Sequence, residues 1–150
     1  GWKNQEVFHA LDHEEMLSRH VRELNDITDG ELWPLLRGAR AMLFPSHVEG
    51  WGMPVVEALA LGVPVIASDI PAFHEAGQGV PDLVDPGDKA GWMERILAYA
   101  GENPSALIAQ RQRLEKFHTP TWVAHFSRVR SMIGNVPTDG DIRIDNPRMK

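Results

Sequence analysis

Two short apolar runs, Ala39 to Phe44 and Val63 to Ser68, bracket a stretch of helical character that opens at Pro54 and ends at Gly62. Apolar runs of this length, bounded by turn residues, suit strands buried on both faces. Two strands joined through a helix run parallel, and a parallel sheet needs helices over both of its faces. This one unit therefore commits the chain to the α/β class, as a Rossmann-like doubly wound parallel sheet. Ligands of such sheets bind beyond the carboxyl ends of the strands, which is where the segment Pro45 to Met53 falls.

The chemistry of that segment is specific. Proline at the first helical position gives up a donor that would be orphaned anyway, and Gly62 suits the left-handed turn past a helix end. The first helical turn offers unpaired N–H groups, expected from Gly52, Met53 and Val55, together with the positive end of its dipole. Gly50 and Gly52 remove side chains that would keep a ligand from the backbone. Two carboxylates, Glu49 in the loop and Glu57 about one turn into the helix, would repel a bare phosphate but would accept hydrogen bonds from hydroxyls. A ligand with phosphate in the middle and diols at both ends satisfies all of these groups, and a nucleotide sugar has that layout.

The rest of the chain supplies the frame. Asn4 to Arg19 is a helical pattern with no strand before it, so the chain is expected to begin in the middle of a motif. His9 and His13 lie four apart on it, but with no third ligand they read as a solvated face, and no metal is expected. Val21 to Leu24 is a short strand candidate, and Thr28-Asp29-Gly30-Glu31 reads as a capping box. Pro34 lies past the first turn of the helix that follows, which either starts later or kinks there. After the second strand, Pro71 to Ala76 reads as a short helix closed by Gly77, Leu83-Val84-Asp85 as an edge-type strand, and Asp85-Pro86-Gly87-Asp88 as a turn into a helix carrying Met93, Ile96, Leu97 and Ala100. Asn103-Pro104-Ser105 caps a helix to about Phe117, and Thr119-Pro120-Thr121 opens a last one whose Trp122, Phe126, Val129 and Ile133 read as packing residues. Residues 1–133 are expected to form one nucleotide-sugar-binding domain, incomplete at its amino-terminal end, and 134–150 a disordered tail.

Composition narrows the partners. A net charge of −6 with scattered basic residues argues against nucleic acid as a partner. The chain has no cysteine, which excludes disulfides and thiolate metal sites and fits a cytoplasmic protein. The longest apolar stretch, Met53 to Ala67, is broken by Glu57, Gly62 and Pro64, so no spanning helix is expected, while peripheral contact with the inner face of a membrane stays open.

The run Glu49-Gly50-Trp51-Gly52-Met53-Pro54-Val55-Val56-Glu57 resembles the hallmark of the retaining glycosyltransferases of family 4, a glutamate, seven residues and a second glutamate. Gly38-Ala39-Arg40-Ala41 and Phe44-Pro45-Ser46 before it resemble family elements too, as do Glu57 to Asp69, Glu75-Ala76-Gly77 and Asp85-Pro86 after it, so the similarity runs from about Gly1 to Phe126. The match is to the carboxy-terminal, donor-binding half of the GT-B fold. It implies that Glu49 is the catalytic carboxylate, contacting the donor sugar and helping to place its anomeric carbon. The backbone of Trp51, Gly52 and Met53 would face the sugar and distal phosphate, Glu57 would bind the ribose diol, and the turn Asn25 to Thr28 would lie near the base. No cofactor is implied; the partners are a nucleotide sugar and a glycan or lipid-linked acceptor. Trp2-Lys3-Asn4 and the segments around Trp92 and Trp122 are similar to the bacterial polysaccharide mannosyl- and rhamnosyltransferases, which makes GDP-mannose the preferred donor.

The departures carry implications as well. The family's basic pair that clamps the diphosphate lies upstream of the first residue, Lys3 is not that lysine, and the amino-terminal GT-B domain is a missing partner. The resemblance thus implies a half-site, little or no transferase activity in this chain alone, and a last helix with an exposed apolar face that promotes association. Two other readings remain. A dinucleotide-binding domain would use Gly50-Trp51-Gly52 with Asp69 on a ribose, but Val55 stands where a third glycine belongs and Glu57 would have no role. A non-catalytic nucleotide-binding or scaffold module would keep the fold without the chemistry.

Overall fold

The computed structural model describes residues 5–102 and 104–134. The Trp2-Lys3-Asn4 opening, Asn103 and residues 135–150 of the expected 134–150 tail lie outside the described residues, while Gly134 is the last residue of a helix instead of the first of the tail. The chain divides into two compact units, residues 1–39 and 40–150.

In the first unit the expected Asn4 to Arg19 helix is two, α1 (Gln5–His13) and α2 (Glu15–His20), separated by Glu14 in an extended conformation. The His13 ring bonds the His9 carbonyl at 2.8 Å, competing for the acceptor that a continuing helix uses. Val21 to Leu24 forms no strand; it lies between α2 and the next helix with no sheet partner among the described residues. Residues of strand-like composition adopt a strand only where a neighbour supplies the ladder. The capping box is present and opens α3 (Asp29–Arg37). The Thr28 N–H donates to Glu31 Oε2 at 3.0 Å and its hydroxyl to the same oxygen at 2.6 Å, holding the Glu31 carboxyl below its usual pKa. The helix therefore starts at the box and carries Pro34 inside it, leaving the Gly30 carbonyl without its usual donor four residues on.

The second unit holds a parallel sheet in the order β1 (Met42–Phe44), β2 (Val65–Ser68), β3 (Asp82–Val84), with Met42 opposite Val65 and Ile66 opposite Asp82. Helices α4 (Met53–Ala60), α5 (Pro71–Gly77), α6 (Lys89–Ala100), α7 (Ser105–Leu114) and α8 (Trp122–Gly134) complete it. The parallel α/β expectation holds, with strands shorter than the apolar runs. Pro54 is the second helical residue rather than the first, and Gly62 takes the left-handed conformation at φ 80° after Leu61. At the end of α5 the left-handed residue is Gln78, at φ 52°, and not Gly77. Gly77 serves close packing instead, since a Cβ there would lie 2.6 Å from the Pro81 ring.

Every residue of β2 is fully buried, so its backbone groups need partners from both sides. Pairing to β3 begins only at Ile66, and before it the buried side chain of Gln110 on α7 serves Val65. Gln110 Oε1 accepts from the Val65 N–H at 2.6 Å, and Nε2 donates to the Val65 carbonyl at 2.7 Å. On β3, Asp82 gathers three donors: Tyr99 Oη at 2.8 Å, Arg95 Nη1 at 3.2 Å and Arg113 Nη2. Burial, then the bond to Asp82, pushes the Tyr99 phenol well above its ordinary pKa. Arg40 donates to the carbonyls of Tyr99 and Gly101, closing the carboxyl end of α6. By contrast, α8 buries no residue: Trp122 and Phe126 stack on each other at 5.7 Å but remain exposed, so the packing role expected of them is not fulfilled within this unit.

Two outcomes follow for stability. Gln110→Ala strands both backbone groups of Val65 and should cost about 3 kcal/mol, read as a lowered urea midpoint with unchanged slope. Because the folded-state pKa of Tyr99 is raised from 10.0, its contribution is intact below that pH and is lost as pH rises through the folded value. Tyr99→Phe should remove this alkaline decline, checked by comparing urea midpoints of both proteins at neutral and strongly alkaline pH.

Candidate functional site

Of the five residues expected at the site, Glu49, Trp51 and Gly52 lie on the connection from β1 to α4, after the carboxyl end of β1, and Met53 and Glu57 lie on α4 itself. The turn is built on Gly52, which caps α4 at φ 94°, ψ 41°. A Cβ on Gly52 would sit 2.8 Å from Phe73 Cδ1. Phe73 on α5 is fully buried and meets Phe44 of β1 with ring centroids 5.3 Å apart. Positive φ and contact with an immobile ring thus both require glycine at this position. Gly50 differs: a Cβ there would meet nothing within 4 Å, so it leaves open space above the loop.

The donor set is narrower than expected. Val55 N–H donates to the Gly52 carbonyl at 3.0 Å and Val56 N–H to the same oxygen at 3.3 Å, so Val55, itself fully buried, offers no donor to a ligand. The N–H groups of Gly52 and Met53 have no hydrogen-bond acceptor among the described residues. They stand at the positive end of α4, whose inner face holds Val55, Val56, Ala58 and Leu59 in the core. Glu49 and Glu57 are half-buried, and neither carboxylate has a hydrogen-bond or ion-pair partner among the described residues. Trp51 and Met53 are exposed beside them. Carboxylates left unpaired beside free N–H groups are acceptors and donors available to a ligand carrying both hydroxyls and an anionic group.

The neighbouring loops on this edge are internally satisfied. Asp69, after β2, takes a hydrogen bond from His74 Nε2 at 2.5 Å, so it pairs with a side chain of α5 rather than capping that helix. Asp85, after β3, accepts from Gly87 N–H at 2.7 Å, and Asp88 accepts from Gly91 N–H at 2.9 Å to start α6. The Asp69–His74 pair was not foreseen; the only sequence signal was an acid and a histidine flanking the helix start at Pro71. No cluster of three metal-ligating side chains exists among the described residues, and none of their helices is long and apolar enough to cross a membrane. Asn25 to Thr28 belongs to the first unit, where Thr28 caps α3.

The sequence matches the family model for glycosyl transferases group 1 over residues 1–112. It is 33% identical over 119 residues to the O-antigen chain mannosyltransferase RfbU of Salmonella typhimurium, covering 79% of this chain and 31% of that protein. It is 37% identical over 78 residues to the serotype-specific mannosyltransferase WbdA of Escherichia coli, 52% of this chain and 10% of that protein. With the D-inositol 3-phosphate glycosyltransferase of Corynebacterium efficiens it shares 26% identity over 152 residues, 95% of this chain and 35% of that protein. The chain thus spans about a third or less of the length of these relatives.

Gly52→Ala should destabilise the second unit by about 2 kcal/mol, through strain at positive φ and collision with Phe73. Thermal denaturation checks this; Gly50→Ala, with open space at its Cβ, is the control expected to stay within about 0.5 kcal/mol of the parent.

Proposed function

This chain belongs to the glycosyl transferases group 1 family, and we propose that it is the donor-binding part of a retaining glycosyltransferase that moves a hexose from a nucleotide sugar to a glycan or lipid-linked acceptor. Its parallel α/β sheet is the Rossmann-like, carboxy-terminal half of the GT-B fold. The observation that carries the reading is the pair of partnerless, half-buried carboxylates, Glu49 and Glu57, flanking the free N–H groups of Gly52 and Met53 at the start of α4.

In this proposal the two N–H groups and the α4 dipole face the distal phosphate. When the bond from the anomeric carbon to the phosphate oxygen breaks, negative charge grows on that oxygen, and donors already fixed by the turn at Gly52 stabilise it without reorganising. Glu49 holds hydroxyls of the transferred sugar, orienting the anomeric carbon toward the acceptor oxygen, whose proton departs with the nucleoside diphosphate. Glu57 accepts from the ribose diol and fixes the nucleotide end. No step calls for a metal. GDP-mannose is the first choice of donor, supported by the mannosyltransferases among the relatives, and synthesis of a surface polysaccharide is the matching process. The dinucleotide alternative loses ground because Asp69, which would hold a ribose, already accepts from His74.

The test is calorimetry of GDP-, UDP-, ADP- and dTDP-sugars, with NAD as the control, against the chain joined to the amino-terminal half expected from the family. Hydrogen bonds to charged groups contribute roughly 1.5 to 3 kcal/mol each, so Glu57→Ala should weaken donor binding about tenfold or more. Glu49→Ala should lower kcat more than it raises KM. Binding that ignores Glu57→Ala, or a preference for NAD, would sink the reading.

A further inference from the structure

Gly52 cannot by itself hold the conformation it makes possible. The turn needs a residue without a Cβ at φ 94°, yet glycine passes between positive and negative φ at little cost. Its carbonyl is fixed, since it accepts from Val55 and Val56, but the N–H groups of Gly52 and Met53 have no acceptor among the described residues to hold their direction. The rigidity of the turn has to come from outside it.

The Phe73 ring is placed to supply it. A Cβ on Gly52 would lie 2.8 Å from Phe73 Cδ1 and 2.9 Å from Cε1, so the ring edge is a floor on which the Gly52 backbone rests. The ring is fully buried and is backed by Phe44 at an interplanar angle of 59°. Its helix is short, seven residues with no side-chain cap at Ile70, and helices of that length are not rigid alone. Both of its ends are held. At the start the Asp69 N–H donates to the Val84 carbonyl at 2.7 Å, extending the ladder to β3, while the Asp69 carboxylate receives the His74 ring. At the other end the Gln78 side chain donates to the His118 carbonyl at 2.9 Å and accepts from the His118 N–H at 3.2 Å.

We propose that Phe73 is a positioning residue for sugar transfer: its ring holds the Gly52 turn so that the N–H groups of Gly52 and Met53 stay aimed at the leaving phosphate. The inference rests on the donor reading above and extends it, because it gives a part in turnover to a buried side chain of α5 that touches no substrate. Donors fixed in advance stabilise the departing oxygen without reorganising, whereas donors on a loosened turn must be reordered at every turnover. The loss therefore falls on kcat more than on KM, since Glu57 still holds the nucleotide end.

Kinetics of the chain joined to the amino-terminal half, paired with amide spectra of the 150-residue chain, test this. Phe73→Leu should lower kcat about tenfold and leave KM for the nucleotide sugar within about threefold of the parent. Phe44→Leu removes the ring behind Phe73 and leaves Phe73 in place; it should show the same split at about threefold in kcat, and it carries the test if Phe73→Leu does not fold. Leu107→Val, a truncation in the core beside Ile66 and Val84, controls for destabilisation alone and should keep kcat within about twofold. In the 150-residue chain the amide signals of Gly52 and Met53 should move in Phe73→Leu and stay in place in Leu107→Val. The proposal is overturned if the Phe73 and Phe44 variants keep the parent kcat, if KM rises as far as kcat falls, if Leu107→Val lowers kcat equally, or if the two amides do not move. A parent that turns over no nucleotide sugar, with those amide shifts intact, would remove the donor reading and leave the hold of the ring on the turn standing.

Discussion

Val65, Ile66, Ala67 and Ser68 have no exposed surface, and a strand buried in this way cannot turn any polar backbone group to water. That constraint organises the second unit. Neighbouring strands supply ladders on both sides of β2. At its amino-terminal end, where β3 has not yet begun, Gln110 reaches in from α7 and gives Val65 the donor and acceptor a strand would have given. α7 is thereby registered against the sheet by a polar side chain as well as by Leu107 in the core beside Ile66 and Val84. Asp82 does the same on β3, drawing α6 through Tyr99 and Arg95 and α7 through Arg113. Truncating Gln110 leaves the Val65 N–H and carbonyl buried and unpaired, and truncating Asp82 removes the acceptor shared by Tyr99, Arg95 and Arg113, which is why such networks fix one arrangement of helices.

From the same constraint comes the shape of the loop. Phe44 ends β1 and packs on Phe73, and Phe73 fills the space directly under Gly52. The chain leaving the sheet therefore passes over a buried ring at a distance only glycine tolerates, and it starts α4 in a left-handed residue. Core packing and the backbone turn at Gly52 are in this sense one feature. The N–H groups of Gly52 and Met53 point where they do because Phe73 does not yield.

Much of this was legible in the residues. The apolar runs around Gly50-Trp51-Gly52 identified the parallel strand–helix–strand unit, and Thr28 to Glu31 identified a capping box, because both rest on local patterns that tertiary structure reinforces. What escaped was set by distant partners. Val21 to Leu24 has strand composition but no ladder to join. Gln78, and not the adjacent Gly77, turns left-handed because its side chain is clamped to His118, forty residues away, while Gly77 is held small by Pro81. The sequence places Val55 in the first turn, among the expected donors, but the tight turn at Gly52 already uses its N–H. The carboxylates Glu49 and Glu57 stand out in the sequence through the glycine-bearing helix start between them and the family resemblance of the whole run, not through their spacing alone; that both stand without partners required the structure.

The charge pattern along the carboxyl edge of the sheet bears on what such a site can hold. Asp69, Asp85 and Asp88 each accept a hydrogen bond from a residue two to five positions on, in the loop or the helix that follows, so their acceptor capacity is partly spent. Glu49 and Glu57 are not, and half-burial makes an unpaired carboxylate costly, because it has lost part of its water without gaining donors. A hydroxyl-rich ligand returns those donors, whereas a bare anion would add repulsion. Gly52 and Met53 N–H groups reverse this preference over a single helical turn, favouring negative charge between the two carboxylates. Under the proposed function the loop therefore suits an alternation, hydroxyls, anion, hydroxyls, because the groups it leaves without partners among the described residues are ones that such a ligand can satisfy.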